Sequence, residues 1–406
     1  MTVFSPQSLD GLKAAVDECL EVSADGNCST GALVPIGEWD VSRITDMRVT
    51  FANAESFNQD LLKWDVARVT NMRAMFANAK AFNQELFQWD VSFVTDMSSI
   101  FGGAESFNKD ISFWDVSGAR DMHGMFGAAI SFNQDVSYWD VSRVTDMHAM
   151  FGSAKKFNQE LFQWNVSRVT DMSFMFSGAE LFNQNLSNWD VSEVRDMKGM
   201  FGSAIFFDHD VSKWNVSRVT DMHEMFGSAI YFNQDLSKWD VSRVTDMHAM
   251  FGMAKSFNQD LSKWDVSRVT AMQVMFAAAE SFNQNLYKWN VSRVTNMNHM
   301  FYEASSFNQT LCGDTWVEST AIKEDMFSGS RGSISTGVCS SWCMGIVCVF
   351  SAFDARFPVS FTCLQTQKPD RTKPHTPMIP RHSVFACVSK RAQNCRWRMP
   401  SSVASR

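Results

Sequence analysis

The chain has 406 residues, of which 45% are hydrophobic and 20% charged, with a formal net charge of −8. That balance excludes a disordered chain and a polytopic membrane protein. The aromatic inventory is the unusual part: 14 Trp and 35 Phe against only 4 Tyr, accompanied by 26 Met.

Residues 1–36 carry an amphipathic pattern, Leu9, Leu12, Ala15, Val16, Cys19 and Leu20, that predicts a helix. This segment precedes a repeat array and reads as its N-terminal cap, with Cys19 and Cys28 placed to be joined across the turn behind the helix. The first ten residues, M-T-V-F-S-P-Q-S-L-D, have neither a charged nor an apolar signal region. Secretion would then depend on a signal missing from this chain or unconventional.

From residue 37 to 311 the sequence is periodic. Trp stands at 39, 64, 89, 114, 139, 164, 189, 214, 239, 264 and 289, always 25 residues apart. Phe51 to Phe301 and Phe57 to Phe307 keep the same interval. A fixed period in this range marks a solenoid, in which one coil cannot bury its own apolar side and stacking supplies the core. The consensus is F-N-Q-D-L-S-K-W-D-V-S-R-V-T-D-M-x-x-M-F-x-x-A-x-x. Leu61, Trp64, Val66 and Val69 have the apolar spacing of a leucine-rich-repeat strand, which predicts parallel strands centred on Trp64 and its counterparts. Thr70-Asn71 reads as a helix N-cap, and Met72, Met75, Phe76 and Ala79 lie at i, i+3, i+4 and i+7, which predicts a short helix. The expected fold class is therefore an α/β repeat solenoid, leucine-rich-repeat-like, with one parallel β-sheet and short helices on the opposite side.

Residues 312–339 form a degenerate capping repeat: Trp316 arrives two residues late and Met326-Phe327 is the last echo of the pattern. Cys312 and Cys339 flank it, and no Cys lies between 28 and 312. Two Cys at each end favour cap disulfides and an oxidising compartment, the alternative being free thiols in a reducing one. Residues 340–406 hold six of the eight Pro, five Cys, and ten Lys and Arg against two acids, so residues 1–339 are near −16. This basic tail is expected to be disordered, and its apolar stretch from Trp342 to Phe353 is too short to span a bilayer. Neither a nucleic-acid partner nor a transmembrane segment is expected.

The string F-N-Q-D-L-S-x-W-D-V-S-x-V-T-D-M-x-x-M-F, as at 232–251, resembles the repeat of BspA-type leucine-rich-repeat surface proteins. That resemblance, over roughly 37–311, implies a right-handed solenoid usually presented at a cell surface. Some members of the family are adhesins, and no catalytic residues come with it.

Two polar rows invite chemistry. Asp40, Asp65, Asp90, Asp115, Asp140, Asp190, Asp240 and Asp265 share one slot, with Asn at 165, 215 and 290. Neighbouring coils would set these carboxylates ~4.8 Å apart, so either shared calcium ions or hydrogen bonds from the following Ser, together with the Arg row three residues on, must offset the repulsion. The Asn variants favour hydrogen bonds. His123 with His148, and His223 with His248, repeat in adjacent coils, but two imidazoles fall short of a metal site and are expected to be solvated surface. No metal site, cofactor or catalytic constellation is expected.

The departures from the consensus point to a binding face. Slots 62, 63, 65, 67 and 68 should face away from the core, and most coils fill them with Ser, Lys, Asp, Ser and Arg. Phe87 and Phe162 replace Ser, Phe113 and Tyr138 replace Lys, and Phe93 replaces Arg. Aromatic anchors ringed by charge make interaction hot spots, the alternative being drift at solvent positions. The expected function is a non-enzymatic, monomeric scaffold that binds a protein or glycan at the cell surface or outside the cell. A purely structural wall or matrix element is the alternative. Ice or mineral binding through the row of Thr45, Thr70, Thr95 and Thr145 is disfavoured by the Arg and Asp beside it.

Overall fold

The computed structural model describes residues 4–28 and 34–337, together with the backbone of two short strands further on. The chain divides into two units, Met1–Gly337 and Val338–Arg406.

The first unit opens with helix α1, Leu9–Val22, whose N-cap Ser8 accepts a hydrogen bond from the Gly11 amide at 3.1 Å. Leu12, Ala15, Val16 and Cys19 are buried, so the stripe expected from the sequence is the one that packs. A disulfide joins Cys19 to Cys28 with the Cα atoms 5.4 Å apart, within the range for such a bridge. It holds the end of α1 against the segment that meets the first coil. There Gly26 has φ +88° and lies against Phe57, leaving no room for a side chain. A 3₁₀ turn, Ile36–Glu38, then leads into the array.

No helix and no continuous strand occurs among the coils from 39 to 309. The expected helix over Met72–Ala79 is a correction. Met72, Met75, Phe76 and Ala79 are all fully buried, so the apolar stripe is real. The backbone beneath it is a run of overlapping turns: Met75 N–H donates to Met72 C=O (3.1 Å), Ala77 to Ala74 (3.1 Å) and Ala79 to Phe76 (3.0 Å). The alternate amides point out of the coil and donate to the next one. Met72 reaches Asp96 (3.0 Å), Ala74 reaches Ser98 (2.8 Å), Phe76 reaches Ile100 (2.8 Å) and Asn78 reaches Gly102 (2.7 Å). Ala74 and Asn78 have φ of 52° and 58°, left-handed values that no α-helix accommodates.

The expected sheet centred on Trp64 is also corrected. Trp64 lies between two tight turns, closed by Trp64 N–H to Leu61 C=O (3.0 Å) and Val69 N–H to Val66 C=O (2.9 Å). Parallel pairing survives as one bridge per coil, in a column that runs from Asp46 through Asn71 and Asp96 to Asn296 and Ile322.

The core is a set of aromatic columns. Phe51 stacks on Phe76 with centroids 5.4 Å apart, Phe57 on Phe82 at 5.8 Å, and within a coil Phe76 stacks on Phe82 at 4.0 Å. Trp is required for more than bulk. From Trp64 to Trp289 each indole N–H donates to a carbonyl one coil and three residues back: Trp64 to Ile36 (3.0 Å), Trp114 to Leu86 (3.1 Å) and Trp164 to Val136 (2.9 Å). The Asn after each second Phe forms a side-chain ladder of its own. Asn58 Oδ1 accepts from the Asn83 amide (2.9 Å) and from Gln84 Nε2 (3.0 Å), and Asp208 fills the same role for Asn233 (2.8 Å).

At the far end, strand β1 (Thr310–Leu311) pairs in parallel with β2 (Ser333–Ile334), and a four-residue helix α2, Asp314–Val317, carries Trp316 into the core. Although it arrives late, Trp316 donates to Leu286 C=O at 3.0 Å, and Phe327 extends the Phe column by stacking on Phe301 at 5.6 Å. Cys312 is buried, while its expected partner Cys339 lies outside the described residues. In the second unit, β3 (Ile346–Cys348) pairs antiparallel with β4 (Cys363–Gln365). The expected disorder of 340–406 otherwise falls outside the described residues.

Trp164→Phe keeps the ring stack but removes one of the two bonds to the Val136 carbonyl, which still accepts from the Trp139 amide (3.2 Å). Chemical denaturation of this variant should show a loss of about 0.5–1.5 kcal/mol, the net worth of one buried hydrogen bond; an unchanged midpoint would show that the indole bond contributes nothing.

Candidate binding face

The two turns around each Trp decide which side chains face outward. In the coil of Trp64, Asp60 Oδ1 caps the first turn by accepting from the Leu62 amide (2.8 Å), and Asp65 Oδ1 caps the second through the Ala67 amide (3.1 Å). Short polar side chains that bond to the amide two residues on suit such turns. The residues at the tips, slots 62–63 and 67–68, project away from the core.

The five substituted aromatics sit on these tips. Phe113 is 78% exposed, Tyr138 76%, Phe93 65%, Phe87 46% and Phe162 40%. An apolar ring on a turn tip gains nothing from the fold that holds it. Four consecutive coils carry the five, and the same coils supply charge beside them. On the coils of Tyr138 and Phe162, a shallow open groove is lined by Ser142, Arg143, Asn165, Ser167 and Arg168.

The carboxylate row has a hydrogen-bonded account. Ser92 donates to Asp90 Oδ1 through its amide (3.0 Å) and its hydroxyl (2.6 Å), and Ser42 does the same to Asp40 at 3.1 and 2.7 Å. Asn165 Oδ1 accepts from the amide and the hydroxyl of Ser167 at 3.2 and 2.8 Å, so an uncharged amide closes the same turn. The Ser hydroxyl, and after it the Ser amide, hold the carboxyls of Asp40, Asp90, Asp140 and Asp265 below the ordinary range, with nearby Arg43, Arg143 and Arg268 aiding Asp40, Asp140 and Asp265. On the Asp row the arginines act through this field alone. Among the described residues none of them forms an ion pair with the Asp three residues earlier; Arg43 bonds to Gln7 (2.7 Å) and Arg218 pairs with Glu193. The Thr row is engaged within the stack, since the Thr70 hydroxyl donates to Thr45 C=O (3.2 Å) and that of Thr95 to Thr70 C=O (3.2 Å).

A second apolar row escaped the sequence reading. Leu181 is 46% exposed, Phe206 45% and Tyr231 52%, in one slot of three successive coils, with the Phe206 and Tyr231 rings stacked at 5.4 Å. Ser fills this slot at 106, 131, 256, 281 and 306. The departure was therefore visible, in the residue before a core Phe rather than around Trp.

A family model described as "Mycoplasma protein of unknown function, DUF285" matches in tandem at residues 26–139, 85–179, 157–256 and 231–342. No curated protein matches the chain. Among solved structures, a TLR13–ssRNA13 complex is similar at 9% identity and a TM-score of 0.22, over 82% of this chain and 56% of that one, a likeness too slight to carry an argument.

The lowered carboxyl pKa values set an acid limit. A carboxyl that titrates lower when folded than unfolded stabilises the fold above its unfolded pKa of about 4, and that contribution disappears as pH falls through the folded value. Thermal melting followed from pH 6 to pH 2 should therefore show stability falling on the acid side. Replacing Asp90, Asp140 and Asp265 together by Asn should flatten that limb and leave the neutral melting temperature nearly unchanged, as Asn165 already closes its turn; an identical acid limb would show that these carboxyls do not govern it.

Proposed function

We propose that this chain, which belongs to the DUF285 family of repeat proteins of unknown function, is a non-catalytic, monomeric scaffold that binds a protein or glycan as BspA-type surface proteins do. The observation that carries the reading is the exposure of Phe87, Phe93, Phe113, Tyr138 and Phe162 on turn tips of consecutive coils. Aromatic rings have few rotatable bonds to order on binding and bury large area, about 150–250 Å² each. The Asp carboxylates, Arg guanidiniums and Ser hydroxyls around them supply the directional bonds that a peptide or a sugar needs. Aromatic anchors within a polar rim are the usual makeup of an interaction hot spot.

An extracellular or cell-surface setting accords with the Cys19–Cys28 disulfide, since such bonds persist in oxidising compartments. Among the described residues no helix is long and apolar enough to cross a membrane.

Replacing Phe113 and Tyr138 with Lys, the commonest residue in that slot, tests the reading. A partner captured from extracellular fractions should bind the double variant more weakly by over about 1 kcal/mol, with the melting temperature essentially unchanged. Undiminished binding would place the interface elsewhere, the row of Leu181, Phe206 and Tyr231 being the next surface to alter.

A further inference from the structure

The bridge column is also a column of charge. Asp96, Asp121, Asp146, Asp171, Asp196, Asp221 and Asp246 occupy it in seven successive coils. Parallel neighbours lie ~4.8 Å apart, a distance at which like charges near a protein surface repel appreciably. The slot two residues on answers this charge unevenly. Arg48 pairs with Asp46 at 2.9 Å near the start and Lys198 with Asp196 at 3.4 Å further along. In between stand His123 and His148.

Asp121, His123 and Asp146 bring one ligand atom each within 4.8 Å of one another, and all three are partly accessible. They are the one group of three or more His, Cys, Asp or Glu residues so placed among the described residues. Each carboxylate is anchored by its own turn: Asp121 Oδ1 accepts from the His123 amide (3.0 Å) and Asp146 Oδ1 from the His148 amide (2.9 Å). The His123 ring lies with Nδ1 2.8 Å from Asp121 Oδ1. The His148 ring is turned away, its Nδ1 2.6 Å from the Ser173 hydroxyl.

We propose that Asp121, His123 and Asp146 bind a divalent transition-metal ion of the zinc class, a site the sequence alone did not suggest. Three features point to this class. Two carboxylates neutralise a doubly charged ion and lose their mutual repulsion when they do. The imidazole suits zinc, nickel or copper, whereas calcium and magnesium select oxygen-only sets. The donors come from adjacent turns of a stacked scaffold, so their geometry is set before the ion arrives, and three protein ligands leave a position for solvent, as in open zinc sites. The related motif at Asp221, His223, Asp246 and His248 is an internal control. There His223 Nδ1 lies 3.2 Å from Asp221 Oδ1 and the two imidazoles stack 6.1 Å apart, and the set does not close within the same distance.

The test uses the full chain, freed of metal by a chelator and titrated with zinc by calorimetry and with cobalt(II) by absorption. Cobalt spectra separate the proposed site from any thiolate site, because thiolate ligation adds strong charge-transfer bands and nitrogen and oxygen donors do not. Wild type should show one nitrogen/oxygen site with micromolar or tighter affinity. His123→Ala and Asp146→Asn should each weaken it at least tenfold, and His248→Ala should leave it unchanged. Asp146→Asn keeps the test sound if His123→Ala misfolds, since Asn71 and Asn296 already occupy this column. Absence of the nitrogen/oxygen site in wild type, unaltered affinity in the first two variants, or equal binding of calcium would overturn the proposal.

Discussion

Each coil depends on its neighbours for the hydrogen bonds its own backbone cannot make. In the run from Met72 to Ala79, every second amide points along the stack and finds a carbonyl in the following coil. A buried amide left without an acceptor costs as much as several favourable contacts return. The 25-residue period follows from this requirement. A residue gained or lost in one coil would turn its donors away from the acceptors above and its Phe rings out of their columns together. The aligned peptides also give the stack a direction. Its first coil leaves the carbonyls of Asp46, Arg48, Thr50 and Ala52 at one end, and its last leaves the amides of Lys323, Asp325, Phe327 and Gly329 at the other. An array built this way needs dissimilar ends, and α1 with its disulfide and the late Trp316 are two unlike solutions.

The core side chains serve the same requirement. Trp could be exchanged for Phe if volume were all that mattered, but its indole N–H answers a carbonyl in the preceding coil. The Asn ladder does comparable work beside the second Phe column, where Asp208 substitutes without interruption because it retains the acceptor oxygen. Left-handed residues at two slots of each coil bring a further local dependence. Phe174 at one such slot leans over the next coil, where Gly199 stands; a Cβ there would strike the Phe174 ring. Neighbouring coils are thus matched residue by residue as well as by period.

The proposed binding face lies where this matching stops. The turn-tip side chains around each Trp lie outside the core, and where they pair between coils, as Lys63 with Glu38 and Arg218 with Glu193, the pairs are exposed, so substitution there changes the surface with little effect on the core. Five aromatics and a groove with two arginines are products of that freedom. A scaffold whose interior is fixed by stacking and whose surface slots vary singly can carry several unrelated sites.

The spacing of Trp and Phe determined by itself that the chain is a stack of 25-residue coils, which side chains form its core and which slots lie outside. Those follow from burial, and burial depends on period alone. The turn-capping role of the Asp row was also legible, because Asn stands in for Asp at 165, 215 and 290 without disturbing the beat. Tertiary structure alone decided what the backbone does beneath the pattern. Apolar residues at i, i+3, i+4 and i+7 fit a helix when read within one coil, yet the same spacing fits overlapping turns once the next coil offers its carbonyls. Likewise Asp121 and Asp146 are ordinary turn residues in the sequence, and only the stacking of their coils brings both carboxylates to one imidazole. Sequence spacing records which side chains leave water; the partners of amides and carboxylates lie a coil away, where only the assembled stack supplies them.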